Sequence, residues 1–293
     1  MSKNQNSWRE VLTRADALLT HLEQRFYPAS AAPDFQFAMA FRWRKRNGKG
    51  LLEAVAHPHR IRLADLLGIE QQKQSVEQNT RQFVQGFPAN NVLLTGARGT
   101  GKSSLVKALL NKYAGKGLRL IEVEKHDLID LPDIVAQIER HPQRFILFCD
   151  DLSFEADEPG YQALKAALDG SIAAASENLL IYATSNRRHL MPEYMEENLA
   201  TRHVGEEVHP AEAVEEKISF SERFGVWLAF YPFSQDDYLR ILAHWLAVLG
   251  VRDADSKAVR QAAVQWALAR GSRSGRVAWQ FARDWAGRHA VKR

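Results

Sequence analysis

Gly96-Ala97-Arg98-Gly99-Thr100-Gly101-Lys102-Ser103 fits the phosphate-binding pattern G-x-x-x-x-G-K-[ST] at every fixed position. Its flanks fit as well. Asn91-Val92-Leu93-Leu94-Thr95 reads as a short buried strand, and Ser104-Leu105-Val106-Lys107-Ala108-Leu109-Leu110 reads as an amphipathic helix. A strand, a glycine-rich turn and a helix N-terminus together make an anion site, because unpaired backbone N–H groups and the helix dipole both face the phosphates. The glycines let the backbone pass close to oxygen atoms that a Cβ would block. On this reading residues 96–104 wrap the phosphates of a nucleotide, Lys102 reaches the β- and γ-phosphates, and the Ser103 hydroxyl binds Mg²⁺.

Two strand ends downstream carry matching chemistry. Phe145-Ile146-Leu147-Phe148-Cys149 is an apolar run that ends in Asp150-Asp151. Both acids therefore fall at the carboxyl edge of a sheet, where ligands bind in open α/β folds. Asp150 is expected to hold Mg²⁺ through water, and Asp151 to act as general base on the attacking water. Leu180-Ile181-Tyr182-Ala183-Thr184-Ser185 is another buried strand, and Asn186 at its end is placed to orient that water. Glu155 is a fallback base.

The composition is that of a soluble globular protein, with 45% hydrophobic and 25% charged residues in 293. A single cysteine excludes a disulfide framework and suits a reducing compartment. No apolar run approaches a membrane span, and the polar N-terminus lacks a signal segment, so a cytoplasmic protein is expected. Charge is uneven. Residues 1–60 carry an excess of five positive charges, residues 61–233 an excess of seven negative ones, and residues 234–293 an excess of six positive ones. Basic ends suit nucleic acid, an acidic partner or an acidic neighbouring subunit.

Three regions are expected. Residues 1–60 hold a helix from Trp8 to Phe26, an apolar strand or docking segment from Phe35 to Trp43, and a basic turn at 44–50. Residues 61–233 alternate helices and strands, which argues for a parallel sheet with right-handed crossovers. Residues 234–293 read as three helices without strands. His57, His59, His203 and His209 lack a metal-ligand spacing. The tryptophans at 245, 266, 279 and 285 lie on apolar stripes and read as core. The segment from Glu193 to Lys217 holds eight glutamates and reads as an acidic insertion.

Together these motifs resemble the AAA+ ATPase superfamily. More closely, PANNVLLTGARGTGKSSLVKALL, RFILFCDDLSFE, IYATSNRRHL and GSRSGRVAWQFARD resemble a bacterial AAA+ family known only as a domain of unknown function, over roughly residues 60–290. The resemblance implies a P-loop NTPase parallel sheet with helices on both faces and a C-terminal helical lid. It also implies that Leu67, Gly68 and Ile69 lie near the base. Arg223, in SERFG, matches the arginine finger and would act in trans in a neighbouring subunit of a homo-oligomer such as a ring. Arg276, with Arg273 as its competitor, matches the lid arginine that senses the γ-phosphate. One departure is Asp151, where the superfamily usually has glutamate; the shorter acid implies slow hydrolysis.

The expected function is MgATP binding and hydrolysis coupled to remodelling of an unknown protein or nucleic-acid client. The alternatives are an ATP-gated DNA-associated loader or adaptor that uses the basic ends of the chain, and an ATP-binding switch module with negligible turnover. Separately, Phe41 to Arg46 interleaves aromatic and basic residues as single-strand binding surfaces do, and a charged hairpin turn accounts for the same pattern. A small-molecule kinase is weaker, because no acceptor site is legible.

Overall fold

The computed structural model describes residues 14, 33–46, 48–153, 158–169, 177–186, 202–204, 207–209 and 220–290. The chain divides into two units, Met1–Asp34 and Phe35–Arg293. The predicted helix from Trp8 to Phe26 lies outside the described residues except for Arg14, which is helical.

The second unit is built on a seven-stranded sheet. Its strands are β1 (Ala40–Arg46), β2 (Lys49–Ala54), β3 (Val92–Gly96), β4 (Leu118–Glu122), β5 (Arg144–Cys149), β6 (Leu179–Ser185) and β9 (Val226–Phe230), in the order β2-β1-β4-β5-β6-β3-β9. Every neighbouring pair is parallel except the β1–β2 hairpin. A short separate hairpin, β7 (Arg202–Val204) with β8 (Glu207–His209), is all that is described of the acidic insertion.

The core strands are apolar almost without interruption because helices cover both faces. Side chains alternate between faces along each strand. Phe145, Leu147 and Cys149 join one core with Leu93, Ile181 and Ala183, against α3 (Leu131–Ile138) and α4 (Pro159–Leu168). Ile146 and Phe148 join the other with Val92, Leu94 and Tyr182, against α1 (Glu70–Val84) and α2 (Lys102–Tyr113). A third core unites α5 (Gln235–Val248), α6 (Lys257–Ala269) and α7 (Gly275–Ala290). The expected architecture is therefore present: a mostly parallel sheet with helices on both faces, followed by three helices with a core of their own.

The sheet starts earlier than the boundary expected at residue 61. β1 pairs in parallel with β4, Ala40 opposite Leu120, so the N-terminal hairpin extends the sheet. Its aromatics point inward. Trp43 is fully buried, and its Nε1–H donates to Asp130 Oδ2 at 2.9 Å. Its basic residues meet acids. Arg42 pairs with Glu122 at 2.8 Å, Arg44 with Glu124 at 2.9 Å, Lys45 with Asp130 at 2.8 Å and Arg46 with Glu53 at 3.1 Å. The aromatic–basic alternation from Phe41 to Arg44 thus follows from the two faces of a strand, one packed and one ion-paired, while Lys45 on the packed side reaches the same Asp130 as Trp43; the aromatic faces are buried and supply no stacking platform for single-stranded nucleic acid.

β9 is the far edge strand. At Ala229 its carbonyl accepts a hydrogen bond from Gln72 Nε2 at 2.9 Å, so α1 caps part of that edge.

Candidate functional site

The glycine-rich loop leaves β3 and enters α2 in a shape that only glycine fits. Gly96 has a φ of 119°, and a Cβ there would stand 2.0 Å from the Phe230 carbonyl oxygen of the adjacent β9. At Gly99, φ 73°, a Cβ would meet the Ser274 side chain at 2.8 Å. The loop is pressed between the sheet edge on one side and the start of the lid on the other. Backbone joins the two directly, because Gly275 N–H donates to Gly99 C=O at 2.9 Å.

Lys102 opens α2 and is 5% exposed. Its ammonium donates to the carbonyls of Gly96 at 2.7 Å and Ala97 at 2.8 Å and to Asn186 Oδ1 at 3.1 Å. Burial pushes its pKa down, against the pull of Asp150 and Asp151. A buried cation of this kind is stabilised by any anion that comes within reach of its ammonium.

Because β6 lies between β3 and β5, the end of β6 falls between the loop and the acid pair. Asn186 therefore joins the two. Its Nδ2 donates to Asp151 Oδ1 while its Oδ1 accepts from Lys102. Asp150 accepts from Ser103 Oγ at 2.6 Å and from Thr184 Oγ1 at 2.6 Å. Thr184 Oγ1 in turn accepts from Asp151 N–H at 2.9 Å. Among the described residues Asp151 is the only non-glycine with a positive φ, 56°. Aspartate tolerates this left-handed backbone better than most residues do, glutamate included, which gives a local reason for the shorter acid. Arg98 stands 4.0 Å from Asp151, with both side chains largely in solvent.

These groups line one cavity of about 950 Å³. Its polar end is formed by Arg98 to Ser104, Asp150, Asp151, Thr184 and Asn186. Its other end is apolar, with Leu66, Leu67, Ile69, Phe233, Trp245 and Trp279 among its walls. Arg276 also lines it, whereas Arg273 does not. Three expected contacts fall elsewhere. Gly96 and Ala97 line a neighbouring cavity of about 750 Å³ with Asn186, Trp227 and Tyr231. Gly68 lines neither; a Cβ there would stand 3.0 Å from the Phe233 ring, so its role is to let the lid pack close.

Arg223 is not brought to this cavity within the chain. It precedes β9, and its guanidinium pairs with Asp169 at the C-terminus of α4. Thr184, Trp245 and Trp279 also line this cavity, whereas the strand and stripe patterns read them as packing. The signal for Thr184 is its position near a strand end, two residues before Asn186, as a polar residue closing an apolar run.

The site's donors suit Mg²⁺. A hydroxyl and a carboxylate are hard oxygen ligands, and no cluster of three or more His, Cys, Asp or Glu side chains able to hold a metal occurs among the described residues. A cation with two protein oxygens leaves positions for phosphates and water, which is how Mg²⁺ is usually bound. No helix among the described residues is long and apolar enough to cross a membrane.

No curated protein matches the chain. Among solved structures it is similar to the RuvB Holliday junction branch migration motor of Thermotoga maritima, at 15% identity and a TM-score of 0.47 over 76% of this chain and 63% of that one. A point mutant of the same motor gives 16% identity and a TM-score of 0.49, over 76% and 64% of the two chains. The chain thus spans somewhat under two thirds of those structures' length. Residues 36–289 match the family described as "Protein of unknown function (DUF815)", and the chain belongs to that family.

Proposed function

We propose that this protein binds MgATP in the cavity between sheet and lid and hydrolyses it slowly, coupling turnover to the remodelling of a macromolecular partner. The observation that carries this reading is the continuous polar network from Lys102 through Asn186 to Asp151, beside the Ser103–Asp150–Thr184 set. Lys102 exchanges its loop carbonyl partners for the β- and γ-phosphate oxygens of the substrate. Ser103 and Asp150 hold Mg²⁺, which neutralises charge on the phosphates when bound. Asn186 fixes the Asp151 carboxylate through Oδ1, and the water's proton passes to Oδ2. Leu67 and Ile69 flank the nucleoside, and Arg276 approaches the γ-phosphate from the lid.

Arg223 serves a second copy of the chain. Its distance from its own cavity and its place at the entry to β9 support action in trans, with Asp169 holding the guanidinium until the copies meet. The hairpin engages Arg42, Arg44, Lys45 and Arg46 in ion pairs, four of the basic residues on which a DNA-associated loader would draw.

The test is phosphate release by the wild-type protein and by Asp151→Asn, with ATP binding measured alongside. Wild type is expected to turn over and Asp151→Asn to bind ATP without turnover. Equal rates would leave a nucleotide-held switch. Lys102→Ala is expected to lose ATP binding; unchanged affinity in that variant would remove the nucleotide site altogether.

A further inference from the structure

The phosphate-loop pattern leaves the positions between Gly96 and Gly101 open to any residue, so it does not ask for an arginine at 98. The backbone that carries Arg98 is pinned on both sides. Ala97 N–H donates to Phe230 C=O at 3.1 Å, Thr100 Oγ1–H to Ala97 C=O at 2.8 Å, and Gly275 N–H to Gly99 C=O at 2.9 Å. The side chain on this fixed backbone is 77% exposed and has room to swing. Its Nη2 stands 4.0 Å from Asp151 Oδ2, too far for a hydrogen bond, and among the described residues it pairs with no other acid. An exposed pair of this kind contributes little, so a stronger anion displaces it readily. The other oxygen of Asp151 is held by Asn186, which also accepts from Lys102. Arg98 therefore stands beside the oxygen left to take a proton from water, in the cavity that Lys102 and Arg276 also line.

From this geometry we infer that Arg98 is a catalytic residue acting in cis: its guanidinium leaves Asp151 for the γ-phosphate of bound ATP, which frees the carboxylate and brings positive charge to the transferring group. The inference rests on the MgATP reading of the cavity and deepens it. In the step it serves, the water oxygen bonds to the γ-phosphorus and the bond from that phosphorus to the β–γ bridging oxygen breaks. The water's proton goes to Asp151 Oδ2, and ADP and inorganic phosphate are the products. Arginine suits the role because its planar fork matches two phosphate oxygens and keeps its charge. Arg223 cannot fill it within one chain, since it is paired with Asp169 and does not line the cavity. A single copy thus carries a basal turnover of its own, to which Arg223 of a second copy adds.

The experiment measures binding of ADP and of the non-hydrolysable imido analogue of ATP, each with Mg²⁺, to the full chain and to Arg98→Ala and Arg98→Lys, with phosphate release from ATP alongside. Arg98→Ala should weaken binding of the analogue about 10- to 100-fold, the span of a hydrogen bond between charged groups, and leave ADP affinity unchanged. Its phosphate release should fall about 100- to 1000-fold, as when one transition-state donor is removed. Arg98→Lys keeps the charge without the fork and should recover analogue binding more than turnover. Mixing Arg98→Ala with Lys102→Ala, whose Arg98 is intact, should give no gain in turnover. An unchanged ratio of analogue to ADP affinity in Arg98→Ala, or equal losses for the two ligands, would overturn the inference and leave the nucleotide site standing. Turnover restored in the mixture would place the arginine in trans and overturn it as well. Failure of both ligands to bind the wild type would remove the nucleotide reading together with it.

Discussion

Replacing Thr184 with valine keeps the shape of the strand end and deletes one oxygen. That oxygen makes two contacts, donating to Asp150 Oδ1 at 2.6 Å and accepting from Asp151 N–H at 2.9 Å. A hydrogen bond to a charged group contributes about 1.5–3 kcal/mol, and leaving a buried donor unmade costs about 1–3 kcal/mol. Asp150 is exposed and keeps Ser103, and water can reach part of the Asp151 amide, so the loss should sit at the low end, about 2 kcal/mol in all. For a domain of this size each kcal/mol moves the melting temperature by about 2–4 °C, giving a drop of about 4–8 °C. The larger effect should be on the metal. Removing a group that orients a metal ligand typically lowers metal affinity or activity about 10- to 100-fold. A Mg²⁺ titration of phosphate release, with a thermal melt on the same sample, reads both. Thr184→Ser restores the hydroxyl and should restore Mg²⁺ dependence. Thr184→Val with a wild-type Mg²⁺ midpoint would refute the claim that this hydroxyl positions the acid pair.

Three further outcomes are expected. Arg223→Ala should keep ATP binding and lose turnover, by about a thousandfold or more if it supplies the finger; mixing it with Lys102→Ala should recover part of the activity, and no recovery would mean the sites are not shared between copies. Gly96→Ala should lower the melting temperature sharply and abolish nucleotide binding, since its new Cβ would stand 2.0 Å from a backbone oxygen at a φ of 119°; a folded, ATP-binding variant would show that the loop can move away from β9. Cys149, buried in β5 with its thiol pushed up to about 12, should resist maleimide at pH 8 until the protein unfolds, because only about one thiol in ten thousand is ionised there; rapid labelling of the native protein would contradict its burial.

The parts of this molecule legible in the sequence are those whose cause is local. The loop from Gly96 to Ser103, the apolar run ending in Asp150-Asp151 and the strand ending at Asn186 each carry their pattern within about ten residues. The structure brings them to one cavity by placing β6 between β3 and β5. What escaped the sequence was decided by partners far along the chain. β1 joins the sheet through Leu120, eighty residues on, so the apolar pattern from Phe35 to Trp43 suggests a strand or docking segment without showing which sheet it joins. Trp245 and Trp279 lie on apolar stripes, and periodicity tells which face is covered without telling whether protein or ligand covers it. Arg223 meets Asp169 across 54 residues, and only the folded chain shows that pair. Arg276 is preferred over Arg273 on the resemblance, and in the fold Arg276 lines the cavity while Arg273 does not.

The bond from Gly275 to Gly99 ties the first turn of α7 to the middle of the phosphate loop with no side chain between them. Substitution at either position cannot retune such a link by changing a functional group; it can only break the link by bulk. Whatever favour an occupant of the loop shows for one tilt of the cap, that tilt must return to the occupant in equal measure. A client that grips the helices of the cap would therefore set the affinity for nucleotide from outside, without ever touching the loop.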